Sequence, residues 1–170
     1  MRKPPSLRAH LTAALPQYRQ SPENLLMFVM GGHVSATGTK ALGWQWEYSL
    51  RIVLCDFTGH PDAVIGPALV WLRAHQPDLL NHPEHQKQAL KVSAEYLNTQ
   101  AMDLVLDVQL SESVHARPIK NGNGHGNGAF ELLHRLEPPC FDEQPHDAVT
   151  ALYLNGEQLA AWPPLDVVGQ

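Results

Sequence analysis

Cysteine is scarce in this chain. The two present, Cys55 and Cys140, lie far apart, one in an apolar stretch and one among prolines. A domain stapled by several disulfides is therefore excluded. The pair reads as free thiols in a reducing compartment, with a single bridge left open. No apolar run nears the roughly 20 residues of a membrane helix, so no membrane partner is expected. The opening Met1-Arg2-Lys3-Pro4-Pro5-Ser6 is basic, but no apolar segment follows, so no signal peptide is expected either. Positive charge is thin: 12 Lys and Arg are scattered along the chain and the net charge is -5. That excludes a broad basic surface gripping nucleic acid, which needs clustered cations. A mildly acidic wall would instead suit a passage that DNA must traverse without sticking. Catalytic signatures are missing as well. There is no Gly-x-Ser-x-Gly elbow. The run Asn121-Gly122-Asn123-Gly124-His125-Gly126-Asn127-Gly128 lacks the Lys-Ser or Lys-Thr of a phosphate loop and reads as a flexible connection.

What is present centres on Trp44 to Gln76, which holds three of the four tryptophans. Trp44, Trp46, Tyr48, Leu50, Ile52 and Leu54 fall on one face of a strand, and Gln45, Glu47, Ser49 and Arg51 on the other. One dry face and one wet face suit antiparallel pairing. Towards Phe57 both faces turn apolar, so that end needs a cover. Asp62 to His75 supplies it, with Val64, Ile65, Ala68, Leu69, Trp71 and Leu72 at helical spacing. Pro67 inside that pattern calls for a late start or a bend, and Pro77 stops it.

Around this block, Pro4 to Leu15 reads as a short helix ended by Pro16. Leu25 to Met30 reads as a strand interrupted at Gly31-Gly32 and continued by His33 to Ala36 beyond a bulge or a bend. Asp78 to Gln86 reads as a loop with a helical turn. Leu90–Tyr96 and Ala101–His115 read as paired strands, the second with Met102, Leu104, Leu106, Val108, Leu110 and Val114 on one face. Phe130 to Leu136 adds a further strand. Asn155-Gly156 between two apolar runs specifies a tight hairpin turn near the end. The expected fold is α+β: an antiparallel sheet of about four to six strands, helices packed on one face, and a C-terminal β-hairpin. The expected organisation is a main domain at 1–118, a flexible Gly/Asn loop at 119–129, a strand and Pro-rich linker at 130–150, and the hairpin and tail at 151–170.

Several clusters could carry chemistry. His82-Pro83-Glu84 matches half of the zinc deaminase signature and Pro139-Cys140 begins the other half, but Glu143 stands where the second cysteine belongs. A small zinc-dependent hydrolase or deaminase using His82, Glu84 and His85 is the enzymatic alternative. Asp103 and Asp107 lie on a wet strand face and read as solvated. Trp44, Trp46 and Trp71 read as core rather than as a ligand platform. The terminal hairpin is too small to stand alone in water. It must dock on its own domain or across a subunit boundary, with Tyr153, Leu154, Leu159 and Trp162 as the candidate interface residues.

Three blocks then gain weight together: Tyr48-x-Leu50-x-Ile52-Val53-x-x-Asp56-Phe57-Thr58-Gly59, Pro67-x-Leu69-x-Trp71-Leu72-Arg73-x-x-Gln76-Pro77-Asp78, and Leu152-Tyr153-Leu154-Asn155-Gly156-Glu157-x-Leu159-x-x-Trp162. With Lys3-Pro4-x-Ser6-Leu7-Arg8 before them, this set resembles the tail completion protein family, protein R type, of contractile-tailed temperate phages. The resemblance covers nearly the whole chain. It implies a non-enzymatic virion structural protein, without cofactor or metal, that caps the tail tube and prepares it for head joining. It implies a ring of copies of the chain, commonly hexameric, touching the tail tube protein and a head completion or connector protein. DNA would pass through without specific binding. The implied place is the virion tail, assembled in the host cytoplasm.

Overall fold

A computed structural model describes residues 1–36, 42–98, 100–120, 126–135 and 149–164. The chain opens with α1 (Lys3–Ala14) and α2 (Pro16–Gln20), then a single 3-10 turn at Pro22–Asn24. Strands β1 (Leu25–Ala36) and β2 (Gly43–Phe57) follow. Next come α3 (Asp62–His75), α4 (Pro77–Asn81) and α5 (Pro83–Ala89). Strands β3 (Leu90–Tyr96), β4 (Met102–Lys120) and β5 (Gly126–His134) come after them. A hairpin of β6 (Ala151–Leu154) and β7 (Glu157–Ala161) completes the described chain.

The architecture is α+β. The main sheet has five strands in the order β1-β2-β4-β3, with β5 also on β4, and every pairing is antiparallel. β3 pairs with Met102–Val108 and β5 with Val114–Lys120. Both therefore lie on the edge of β4 that faces away from β2, one beyond the other. The prolines at 16, 77 and 83 each begin a short helix. A residue without an N–H and with preset φ ends one helix and suits the first position of the next, so a stop at 16 and a mere turn at 78–86 understate the helix present.

Alternation decides the faces. Tyr48, Leu50, Ile52 and Leu54 of β2 are buried, as are Met102, Leu104, Leu106, Val108 and Leu110 of β4. Leu7, Leu11 and Ala14 of α1, with Val64, Ala68, Trp71 and Leu72 of α3, close over them in one core. Met30 is the extra residue of a bulge between Val29 and Gly31. It keeps Val34 and Ala36 on the helix-covered side, opposite Trp46 and Trp44. A second bulge lies between Leu54 and Phe57, where Asp56 takes φ 53° and its N–H donates to Asp103 Oδ1 at 3.0 Å. It returns Phe57 to the core, with Gly59 lying over the Phe57 ring where a Cβ would not fit.

Two readings of single residues are corrected. Trp71 is fully buried, but Trp46 only packs at the edge of the core and Trp44 stays half-exposed outside it. The helices cover the middle of the sheet, and its arm of early β2 and late β4 extends past them. Asp103 and Asp107 are engaged rather than merely solvated: Arg51 binds Asp107 through two parallel bonds of 2.8 and 2.9 Å, directly across the strand pair. Of the expected Gly/Asn loop at 119–129, residues 119–120 end β4 and 126–129 begin β5, while 121–125 lie outside the described residues, as does 136–148 of the expected strand and linker at 130–150, Cys140 included.

Candidate assembly surface

The surface is set by how the N-terminal helix and the terminal hairpin lock onto the sheet. α1 has no side-chain N-cap of its own. Glu112 provides one from β4: Oε2 accepts the Arg2 N–H at 2.6 Å and Oε1 the Lys3 N–H at 3.3 Å. Tyr48 donates its hydroxyl to the same carboxylate at 2.5 Å. Burial alone would raise the Glu112 pKa, but the bonds from Tyr48, Arg2 and Lys3 outweigh it and hold the group below the ordinary glutamate value. Burial in turn, with the adjacent carboxylate, pushes the Tyr48 hydroxyl well above its ordinary value. The result is an ionised carboxylate clamped at a helix N-terminus, where a negative charge is favourable.

Gln76 makes the second lock. Its side chain is buried between β3 and β5, where β4 has no strand neighbour on that edge. Oε1 accepts the Ser111 N–H at 3.1 Å and the Lys3 ammonium at 2.5 Å, while Nε2 donates to Ser111 Oγ and Asp78 Oδ1. A side-chain amide thus substitutes for a strand. Ser6 and Arg8 of α1 are used similarly. Ser6 Oγ accepts the Trp71 indole N–H at 3.1 Å, and Arg8 donates to the Leu25 carbonyl at 2.5 Å. The blocks Lys3 to Arg8 and Trp71 to Asp78 are therefore two halves of one docking arrangement.

The hairpin is closed by Asn155 and Gly156, both at positive φ (50° and 87°), as a two-residue turn requires. Its inner side packs on α1 and α3. Trp162 is buried, with its ring edge-on to His10 at 5.8 Å, and Leu159 packs partly buried against the same core. Gly66 leaves room on α3 for Leu152. His10 Nε2 donates to the Pro67 carbonyl at 3.1 Å. Burial keeps that imidazole below its ordinary pKa. Of the four candidate interface residues, Leu159 and Trp162 face the chain's own core. Tyr153, 64% exposed, and Leu154 face outward.

His82, Glu84 and His85 sit exposed at the start of α5, the two imidazoles edge to face at 5.5 Å. Among the described residues no group of three or more His, Cys, Asp or Glu side chains is placed to hold a metal ion. A groove of about 710 Å³ runs from the wet face of β1 and β2 to α4 and α5, lined by His33, Glu47, Ser49, Gln109 and His85 among others. No helix is long and apolar enough to cross a membrane among the described residues.

Glu112, Gln76 and the Arg51–Asp107 pair were not visible as a set in the sequence. Glu112 breaks an apolar alternation, which was the one available signal. Exposed apolar groups include Leu26, Phe28, Val29, Met30 and Val34 on β1, Val92 and Tyr96 on β3, Phe130, Leu132 and Leu133 on β5, and Tyr153 and Leu154 on the hairpin. Contiguous exposed apolar groups are common where a protein meets other chains.

Comparison with known proteins finds likeness along nearly the whole chain. The family model described as P2 phage tail completion protein R (GpR) matches residues 1–138. The chain is 32% identical over 162 residues to tail completion protein R of Escherichia phage P2, an alignment covering 95% of this chain and 99% of that protein. No solved structure matches the chain. The match spans the Glu112, Gln76 and Asp56 arrangements alike, and this chain belongs to the P2 phage tail completion protein R family, structural proteins of the phage tail.

Proposed function

We propose that this protein completes the tail tube by capping its end, prepares it for joining to the filled head, and does so as a closed, hexameric ring of identical copies. One side of the ring meets the tail tube protein and the other a head completion or connector protein. The role is structural and not enzymatic, and assembly takes place in the host cytoplasm. The observation that carries this reading is the near full-length likeness to a tail completion protein. The physical character of the surface supports it: the exposed apolar groups lie on strand edges and on the hairpin's outer side, where a partner chain can cover them. The net charge of -5 suits a bore that releases DNA. Tyr153 and Leu154 are the hairpin residues free to touch a neighbour.

Removing the gene from a producing phage tests the reading by electron microscopy. The expected lysate holds filled heads beside unjoined or overlong tails. Normal joined particles would overturn the proposal.

A further inference from the structure

We propose that β1 of one protomer adds antiparallel to β5 of the next, so that the main sheets join edge to edge around the ring. This rests on the ring reading above and names the contact that would close it.

β1 is a 12-residue strand whose one strand neighbour, among the described residues, is β2. Among the described residues its outer edge is therefore open to a further strand beyond the Leu25 carbonyl, which Arg8 holds. Natural edges of this length are guarded by lysines, prolines, bulges or a covering element. The stretch Leu25 to Ala36 has no charged residue and no proline, and only the bulge at Met30 interrupts it. Its lone titratable group, His33, is drawn to Glu47 at 3.3 Å on β2.

Both faces of the first half of this edge are apolar, and beyond the bulge the wet face carries His33 and Ser35. Leu26 and Phe28 lie on the wet face, opposite Val53 and Arg51, while Val29 and Val34 lie on the helix-covered face, opposite Leu50 and Trp46. With Met30 they are 38% to 55% exposed. A partner that satisfies the backbone and covers both rows must be a strand with apolar side chains on both faces.

The opposite edge of the same sheet offers two strands. β3 runs in the same sense as β5 and exposes Val92 and Tyr96 on the helix-covered face, but it carries Lys91, Ser93 and Glu95 on the wet face, in register with Asp107, Val105 and Asp103, so that face is charged. β5 carries Phe130 and Leu132 on the helix-covered face and Leu133 on the wet face, 40% to 53% exposed. Its one carboxylate, Glu131, is already bonded to Arg117 at 2.5 Å. Strand direction agrees. β1 is antiparallel to β2, β2 to β4 and β4 to β5, so β1 and β5 run in opposite senses. Through β2 and β4, β1 lies level with Leu104–Val114 and β5 with Val114–Lys120, so the repeat axis must be inclined to the strands. Copies repeated about such an axis keep those senses, and a neighbour's β1, shifted along its length, meets β5 antiparallel. Two different edges make a head-to-tail contact, the kind that closes into a ring.

The experiment uses Phe28→Lys and Leu132→Lys, each an exposed position, in the full chain. Sedimentation of the wild type should show one closed oligomer. Each variant should sediment as a monomer with the wild-type circular dichroism and thermal midpoint. An equimolar mixture of the two should give heterodimers and nothing larger, because each variant keeps the edge that the other has lost. Phe28→Thr and Leu132→Thr, which suit strands, carry the same test if a lysine disturbs the sheet. Their association should be at least about tenfold weaker than wild type. A variant that still forms the wild-type oligomer overturns the inference and leaves the ring standing. So does self-association of Leu132→Lys, which would mean β1 paired with β1, or a mixture that stays monomeric. A wild type that is monomeric at high micromolar concentration overturns both the inference and the ring.

Discussion

Glu112 occupies a place on β4 where each other inward side chain from Met102 to Ala116 is apolar. Its carboxylate replaces a helix cap across 110 residues of sequence. Charge-assisted bonds of this kind contribute about 1.5–3 kcal/mol each, and a cap about 1. Glu112→Gln turns one acceptor into a donor facing the Arg2 N–H. It is expected to lose about 1–3 kcal/mol in urea unfolding with an unchanged denaturant slope. A change below about 0.3 kcal/mol would mean that the clamp contributes nothing. The pH dependence of stability belongs to this scale too. Burial is the main cause that keeps His10 and His75 below 6.5 in the fold. The unfolded chain then binds more protons there, so stability falls as pH drops through that value. Glu112 and Asp107, both held below their ordinary values, give a second loss at lower pH as they protonate. The Asp107 shift comes chiefly from its bond to Arg51. All four groups act in one direction, so the thermal midpoint should fall in two stages on acidification from neutrality. His10→Gln should flatten the upper stage, and a midpoint constant between about pH 7 and about pH 5 would contradict it.

At the scale of elements, Gly32 shows how tightly the sheet's arm is drawn together. A Cβ there would sit 2.5 Å from the Glu47 carbonyl oxygen and 2.7 Å from Tyr48 Cβ, neither of which can swing aside. Gly32→Ala should therefore cost about 1–3 kcal/mol, as overpacking does. The midpoint of thermal unfolding checks it, and an unchanged or higher midpoint would show that β1 relaxes freely. Gly31, with open space around it, is the control position and should tolerate Ala far better. The same elements show how far the sequence can be read. Strict alternation in Leu90–Tyr96 and helical spacing in Asp62–His75 gave boundaries that the structure repeats. Both patterns are local, and burial on one face enforces them. The bulge after Val29 was legible because two glycines sit beside it. The docking of Gln76 against Ser111 was not, because it joins residues 35 apart through a gap between strands that no local pattern encodes. Glu112 failed for the same reason, and it also contradicted the period that revealed its strand. Spacing sets His82, Glu84 and His85 close together in the sequence, but it does not say that the two rings lie exposed on a helix end.

For the whole molecule, the terminal hairpin divides its residues between two tasks. A two-stranded unit of this size has little stability alone. Trp162, Leu159, Ala160 and Leu152 bind it to the core formed with α1 and α3, beside His10 and Gly66. Tyr153 and Leu154, on the outer side, add little to that core. Deleting Ala151 to Gln170 would therefore uncover the chain's own interior as well as remove any contact with a neighbour, so a lost oligomer would not separate the two effects. Single substitutions do. Trp162→Ala should lower monomer stability by about 3–5 kcal/mol, the usual loss for a buried tryptophan. Tyr153→Ser should change monomer stability by no more than about 0.5 kcal/mol, yet weaken assembly if the hairpin meets a neighbour. Urea unfolding in dilute solution measures the first quantity and sedimentation across a concentration series the second. If Tyr153→Ser unfolds the monomer, the hairpin is only a lid on the core. If it leaves both measurements unchanged, the hairpin's outer side takes no part in self-association, and the proposed ring would rest on the sheet edges alone.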